Sequence, residues 1–180
     1  AFGKEAYILT GYYNIPKVLE ITLNNGFDPR TKKTIGLQTG DPVTFHSFET
    51  LMAAFEKQLN HFIGIKINGN NIIDRIYARH LPVPFLSILI DDCIKSGKDY
   101  HDGGARYNTS YIQGVGLGSV TNMLAAMKYW IFDRTVEDDE AGEQGSWEAG
   151  LYGRLAQLIK ALSADFVGYD DLRYKLIYET

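Results

Sequence analysis

The stretch DGGARYNTSYIQGVGLGSV, from Asp102 to Val120, decides the fold because it places a glycine-rich segment between two helical patterns. Three interpretations are open: a phosphate-binding loop, a buried strand with close backbone packing, or the wall of an active site. Its GVGLG string, residues 114–118, has neither G-x-G-x-x-G spacing nor the Lys-Ser/Thr pair of a P-loop. Glycines within a strand indicate closely approaching backbones or a bend. The stretch therefore predicts one or two short strands around Tyr111 to Leu117.

The bulk composition is that of an ordinary globular protein. The 180 residues fit one domain, with 45% hydrophobic and 22% charged residues. A net charge of −4 gives no basic footprint for nucleic acid, and no apolar run reaches the roughly 18 residues needed to span a bilayer. No secretory signal is predicted at the N-terminus, and the single cysteine, Cys93, fits a reducing cytoplasm.

Outside the glycine-rich stretch the chain predicts helices. They cover residues 14–25, with Pro16 in the first turn and Gly26 as the stop, and residues 48–81, where Ser47 caps the start and NGNN at 68–71 interrupts or weakens the pattern. Residues 83–97 predict a mostly buried helix closed by Gly97. Further predicted helices are one capped by Ser119, one within 147–166 and one within 169–179.

The helical content leaves two fold classes open, an all-α domain or a helical part of an α/β barrel. The acidic segment from residue 134 to 150 predicts a solvated loop or an insertion. Both ends of the sequence read as cuts through a larger protein. We treat residues 1–180 as a single partial domain.

Few residue patterns point to chemistry. Asp91 and Asp92 are neighbours on a predicted helix and so point in different directions. Cys93 in an apolar helix is typical of a small buried hydrophobe. The histidines lack metal-binding spacing; they are His46, His61, His80 and His101. A polar insertion, Arg106 to Asn108, braces a barrel interior or faces a ligand.

Several strings together resemble the glycyl radical enzymes, the family of pyruvate formate-lyase. They are FGKEAYILTGYYNIPKVLEITLNNG, TGDP, PFLSILIDDC and DGGARYNTSYIQGVGLGSVTNML, and more weakly ADFVGYDDLR. The first string is most similar to the trans-4-hydroxyproline dehydratase branch. The matches are long and collinear, but they cover only a central segment of a family member.

The resemblance implies a fold and a chemistry. The fold class is α/β, helix-rich, as a slice of a ten-stranded α/β barrel. A glycyl radical, installed by an activating enzyme with an iron–sulfur cluster and S-adenosylmethionine, passes to a cysteine, whose thiyl radical takes a hydrogen atom from a small polar substrate. The intact enzyme is expected to be a cytoplasmic, anaerobic homodimeric lyase or dehydratase that needs no metal. It has no partner among nucleic acids or membranes.

The family's cysteine loop and radical glycine loop are both missing from the 180 residues. Cys93 lies far from the cysteine loop's place and does not inherit its role, so we expect no catalytic residue here and no activity from the segment alone. Tyr12 matches a position that contacts substrate in several branches. Arg106, Tyr107 and Asn108 match a string with a structural role.

A rival hypothesis is a non-catalytic helical module with a structural or interaction role. A closed module would bury its aromatic faces, whereas part of a barrel would expose a large apolar patch. We expect such a patch around Tyr12 to Ile21 and Tyr111 to Val120.

Overall fold

The computed structural model describes residues 3–133 and 150–178, except for the side chains of Leu9 and Thr10. These residues fall into two compact units. The first comprises residues 1–14 and 62–115, and the second comprises residues 15–61 and 116–180. A compact unit is not a domain, so the single partial domain over 1–180 stays a prediction. Residues 134–149 of the predicted acidic segment lie outside the described part.

The first unit is built on a pair of parallel strands. They are β1 (Glu5–Asn14) and β4 (Tyr107–Val115). The unit also holds residues 62–80 of the long helix α2 (Phe48–His80), then α3 (Pro84–Ser87), α4 (Asp91–Ser96) and a 3-10 turn, Tyr100–Asp102. A small apolar core joins the start of β1 to α4 and consists of Ala6, Ile90, Cys93 and Ala105, with Tyr100 packed against it.

The second unit is mainly helical. Its elements are α1 (Ile15–Leu23), the short antiparallel strands β2 (Phe27–Asp28) and β3 (Lys33–Thr34), a 3-10 turn (Pro42–Thr44), residues 48–61 of α2, α5 (Leu117–Met127), a π-helical turn (Lys128–Phe132), α6 (Gly150–Ser163) and α7 (Asp170–Tyr178). Helix α1 packs against α5. The largest fully buried side chains of the unit include Leu51, Ile131, Leu155 and Leu172.

Several predicted helix boundaries are confirmed. Helix α1 ends in a Schellman motif, in which the Gly26 N–H donates to the Ile21 carbonyl at 2.8 Å and Asn25 takes the left-handed conformation (φ 48°). The Ser47 hydroxyl accepts from the Thr50 N–H at 3.3 Å and so caps α2. Gly97 closes α4 with φ 64°.

Of the two alternatives for residues 68–71, an interruption of α2 is wrong, because the helix runs unbroken over 33 residues. Glycine and asparagine each lower helix propensity by about 1 kcal/mol or less, which tertiary packing overrides. Asn70 is 3% exposed, so packing at this position contributes to holding the helix.

The predicted buried helix over residues 83–97 is also wrong. It is two short helices whose side chains are mostly exposed, with Ile90 in extended conformation between them. The break has a physical cause, since the Asp91 N–H donates to the Gly3 carbonyl at 3.1 Å instead of continuing a helix. Ser119 does not cap the next helix, which begins at Leu117 after Gly116 in a left-handed conformation (φ 84°).

Strand β1 was not predicted from the sequence, and β4 is longer than the predicted strand. The exposed patch is half confirmed. All nine residues of β4 are exposed, and Tyr12 and Leu117 are each 66% exposed. The helical parts of the predicted patch are wrong, because Val18 and Ile21 are buried on α1 and Val120 is buried on α5. The exposed strand argues against the closed, non-catalytic module.

Acid should loosen the segment that follows α1. Asp28 accepts hydrogen bonds from the Lys17 ammonium and the Thr31 hydroxyl, each at 2.6 Å, and these bonds lower its pKa to about 2. The depressed pKa stabilises the fold fully above the ordinary value of 3.8, and this contribution is lost as the pH falls through about 2. Thermal unfolding of the protein and of Asp28→Asn between about pH 5 and pH 2 should show a steeper fall for the unsubstituted chain. Parallel curves would contradict this assignment.

Candidate functional site at the carboxyl ends of the paired strands

The strands β1 and β4 run parallel, so their carboxyl ends lie at the same edge of the pair. In the register, Leu9 pairs with Tyr111, Gly11 with Ile112 and Tyr12 with Gln113. Thr10 is left over as a bulge between Leu9 and Gly11. Ligands of parallel sheets bind at the carboxyl ends of the strands. This edge, from Gly11 to Asn14 and from Ile112 to Val115, is therefore the candidate site.

The strand pair has two faces that differ in chemistry. Side chains alternate along each strand, and paired residues of parallel strands share a face. What we call the front face carries Tyr7 and Tyr12 of β1 with Tyr111 and Gln113 of β4, and the back face carries Gly11 of β1 and Ser110 of β4. The bulge at Thr10 is what places Tyr12, rather than Gly11, on the front.

Helix α2 contacts the back face through polar side chains. The Lys66 ammonium lies where a β-carbon at Gly11 would sit, and the Ser110 hydroxyl donates to Asp74 Oδ2 at 2.6 Å. Asn70 lies one helical turn from each of Lys66 and Asp74 and is 3% exposed. Small residues at positions 11 and 110 let this polar helix approach the backbone of both strands.

The opposite side of the same helix is apolar and exposed. Three isoleucines on that side are each at least 48% exposed: Ile65, Ile72 and Ile76. A helix of an isolated globular domain would turn such residues inward. The reversed pattern, like the exposed β4, is expected of one part of a larger fold.

The amino-terminal half of the front face is internally bonded. The rings of Tyr7 and Tyr111 lie 4.1 Å apart, and the Tyr111 hydroxyl donates to Glu5 Oε1 at 3.0 Å. The Tyr7 N–H donates to the Tyr100 hydroxyl at 2.9 Å. These contacts fix the front face up to the bulge.

The carboxyl-terminal half is available to a ligand. Tyr12, the predicted substrate contact, is 66% exposed, and no described residue hydrogen-bonds its hydroxyl. Tyr13, on the opposite face, is half-buried, and burial raises its pKa to about 12. The substrate-binding role of Tyr12 stays a prediction, and its position on the front face is compatible with it.

The polar insertion before β4 makes structural contacts. The Arg106 guanidinium binds both carboxylate oxygens of Asp92 at 3.1 Å, and this hydrogen-bonded carboxylate raises the pKa of Arg106. The Asn108 amide donates to the Ala105 carbonyl at 2.7 Å. Both contacts hold the turn that leads into β4, in agreement with the predicted structural role.

Cys93 and the histidines do not form a reactive centre in the described part of the chain. Cys93 is 3% exposed within the apolar core, and burial raises the pKa of its thiol, so the prediction of a small buried hydrophobe is confirmed. His101 contacts the Leu81 carbonyl through Nδ1 at 2.8 Å. Among residues 3–133 and 150–178, no three His, Cys, Asp or Glu side chains are arranged to hold a metal ion.

Sequence reasoning did not single out Gln113, which the register pairs with Tyr12. Its signal was available, because β4 alternates Thr109, Tyr111 and Gln113 with smaller or apolar residues. Its pairing with Tyr12 depends on β1, which the sequence did not reveal, and on the bulge.

Comparisons with known proteins cover almost the whole chain. A family model described as pyruvate formate lyase-like matches residues 1–178. Over 169 residues, or 94% of the chain, the sequence is 54% identical to trans-4-hydroxy-L-proline dehydratase of Clostridioides difficile. It is 31% identical over 166 residues to (2S)-3-sulfopropanediol dehydratase of Klebsiella oxytoca. The chain spans 19% and 18% of the lengths of these two relatives.

Solved structures agree with the sequence comparison. The crystal structure of hydroxyproline dehydratase from Clostridioides difficile with trans-4-hydroxy-L-proline bound superposes with a TM-score of 0.84 at 51% identity, covering 99% of this chain and 21% of that one. The glycerol-bound B12-independent glycerol dehydratase of Clostridium butyricum gives a TM-score of 0.75 at 32% identity, covering 94% of this chain and 19% of that one. The predicted fold class, a helix-rich α/β slice of the glycyl radical enzyme barrel, is confirmed. Among the described helices, none is long and apolar enough to cross a membrane.

Proposed function

Because the chain belongs to the pyruvate formate lyase-like family of glycyl radical enzymes, we propose that it is a central segment of a longer dehydratase that removes water from trans-4-hydroxy-L-proline. The assignment of the substrate is supported by the difference in sequence identity between one relative and the others. The chain is 54% identical to the hydroxyproline dehydratase but 31% to the sulfopropanediol dehydratase and 31% to an isethionate sulfite-lyase. A difference of this size within one family indicates that this chain and the hydroxyproline dehydratase share a substrate class and not only a fold.

The segment's part in the reaction is to hold substrate. The radical chemistry belongs to the cysteine and glycine loops of the family, which these 180 residues do not contain. Cys93 does not replace the missing cysteine, since it is buried in an apolar core. Tyr12, on the front face, supplies a hydroxyl that can donate to or accept from a polar group of the substrate.

The same proposal includes the activating enzyme, the oligomeric state and the cellular compartment of the complete protein. An activating enzyme with an iron–sulfur cluster and S-adenosylmethionine would install the glycyl radical, and the protein would work as a homodimer in an anaerobic cytoplasm. The family resemblance supports these features.

The test uses the complete protein with its flanking segments, prepared without oxygen and treated with its activating enzyme. Incubation with trans-4-hydroxy-L-proline should give a product lighter by one water, detected by mass spectrometry. Glycerol and (2S)-3-sulfopropanediol serve as competing substrates. If only one of these two compounds were dehydrated, the assignment of trans-4-hydroxy-L-proline as the substrate would be wrong. If none of the three were dehydrated, the assignment of a dehydratase activity would be wrong.

Replacing Tyr12 with phenylalanine should lower kcat/KM of the complete enzyme about tenfold to a hundredfold. The substitution keeps the ring and removes one hydrogen bond to the substrate, which leaves a polar substrate group without its partner. Tyr7→Phe is the matched control, because Tyr7 lies on the same strand and face and is 59% exposed, but at the amino-terminal half. Equal losses in both variants would show that Tyr12 has no special role.

A further inference from the structure

We propose that Gln113 is a second substrate-contacting residue, which acts together with Tyr12 at the carboxyl end of the strand pair. This inference rests on the proposed function, because it assigns a further residue to the same site. It is carried by the register of β1 and β4, by exposure and by the hydrogen bonds of the neighbouring side chains.

The register places Gln113 beside Tyr12. The two residues are direct partners across the parallel pair, on strands whose spacing is about 4.8 Å. Since partners in a parallel pair share a face, both side chains lie on the front face. A substrate group that reaches the Tyr12 hydroxyl is therefore within reach of the Gln113 amide.

The amide of Gln113 is not used to hold the fold. Gln113 is exposed, and no described residue hydrogen-bonds its side chain. Other polar side chains near it are engaged: the Tyr111 hydroxyl donates to Glu5, and the Thr109 hydroxyl donates to the Ala6 carbonyl at 3.2 Å. In the carboxyl-terminal half of the front face, the described polar side chains without a protein partner are thus Tyr12 and Gln113, which lie side by side.

The chemistry of the pair fits a hydroxylated or carboxylated metabolite. The carboxamide offers two donors and one acceptor oxygen, and the phenol offers one donor and an acceptor. Two neutral groups that both donate and accept can hydrogen-bond a substrate hydroxyl in either direction, and can donate to a carboxylate.

The backbone behind Gln113 and Tyr12 is held in place. On the back face, Lys66 lies against Gly11 and Asp74 binds Ser110. These contacts fix one residue of each strand within three positions of the pair. The backbone that positions both side chains is therefore fixed before a ligand binds, which favours specific recognition.

The test measures binding to the complete protein before activation, so that it does not depend on the radical. Calorimetry is carried out with trans-4-hydroxy-L-proline, glycerol and (2S)-3-sulfopropanediol. For the ligand that the unsubstituted protein binds most tightly, Gln113→Leu should raise Kd about tenfold, the value of one hydrogen bond to a ligand. Gln38→Leu, at an exposed glutamine outside the strand pair, should leave Kd unchanged.

The unfolding midpoint of Gln113→Leu should equal that of the unsubstituted protein, since an exposed amide without partners is removed. If the leucine variant fails to fold, Gln113→Asn, which withdraws the amide by one methylene, replaces it and should weaken binding similarly. A Kd within twofold of the unsubstituted value for the bound ligand would overturn the proposal. If the unsubstituted protein bound glycerol most tightly, the hydroxyproline assignment would be wrong. The Kd values of Gln113→Leu and the unsubstituted protein would then be compared with glycerol as the ligand. Binding of none of the three would overturn both.

Discussion

Gly104→Ala is expected to destabilise the protein by about 3 kcal/mol, because there is no space for a methyl group at this position. A β-carbon there would lie 2.6 Å from the Cys93 Sγ and 2.8 Å from the Asp99 carbonyl oxygen, and would also strike the Lys98 carbonyl oxygen. Two of these three obstacles are backbone atoms, which cannot move without opening the turn before β4. The measurement is the shift in thermal unfolding midpoint together with amide hydrogen exchange along β4.

Gly103→Ala separates this packing effect from backbone strain. Gly103 has φ 71°, yet a β-carbon at this position meets no atom within 4 Å. Its replacement should cost only the left-handed conformation, about 1 kcal/mol. If Gly103→Ala destabilised the protein as much as Gly104→Ala, close packing at Gly104 would not be the reason for its glycine.

Asp99→Ala should destabilise the same turn by about 3 kcal/mol. The Asp99 carboxylate accepts from the Ser87 hydroxyl at 2.8 Å and from the backbone N–H groups of Val83 and His101, each at 2.9 Å. Removal of the carboxylate leaves these part-buried donors without their acceptor, at about 1 kcal/mol for each. Thermal unfolding and hydrogen exchange of the His101 amide provide the readouts.

Asp102→Ala is the matched control, since Asp102 is exposed at the end of the same 3-10 turn. It should change stability by less than about 0.5 kcal/mol.

The pH dependence of stability gives a second check on Asp99. Burial raises the pKa of Asp99, but its three hydrogen bonds outweigh burial and the net pKa is lowered. Its stabilisation is therefore complete at neutral pH and is lost as the pH falls below the ordinary aspartate range. Loss of stability on raising the pH would contradict the assignment.

The sequence predicted the helices well where periodicity and caps agreed. Helix α1 has both an apolar face and a C-terminal Asn-Gly, and α2 has the Ser47 cap. The prediction from sequence failed where a residue distant in sequence determines the backbone conformation. The break at Ile90 depends on the hydrogen bond from the Asp91 N–H to the Gly3 carbonyl, 88 positions away in sequence. No local pattern could reveal that bond.

The candidate site was predictable only in part. Tyr12 followed from the family resemblance, since nothing about a tyrosine in a TGY string indicates binding by itself. Gln113 could not follow in the same way, because its place beside Tyr12 is set by a parallel pairing between segments about a hundred residues apart and by the bulge at Thr10. Exposure on the front face is likewise a property of the paired strands and not of either segment.

The fully exposed strand β4 also has a consequence for how the chain behaves in solution. Within the described residues, β1 and β4 form a sheet of two strands, so each strand keeps an outer row of backbone donors and acceptors that no third strand covers. An uncovered strand edge is a template for pairing with other chains. Prepared apart from neighbouring strands, the segment should self-associate as its concentration rises. The addition of strands at those edges, rather than a change in its helices, would be the route to aggregation.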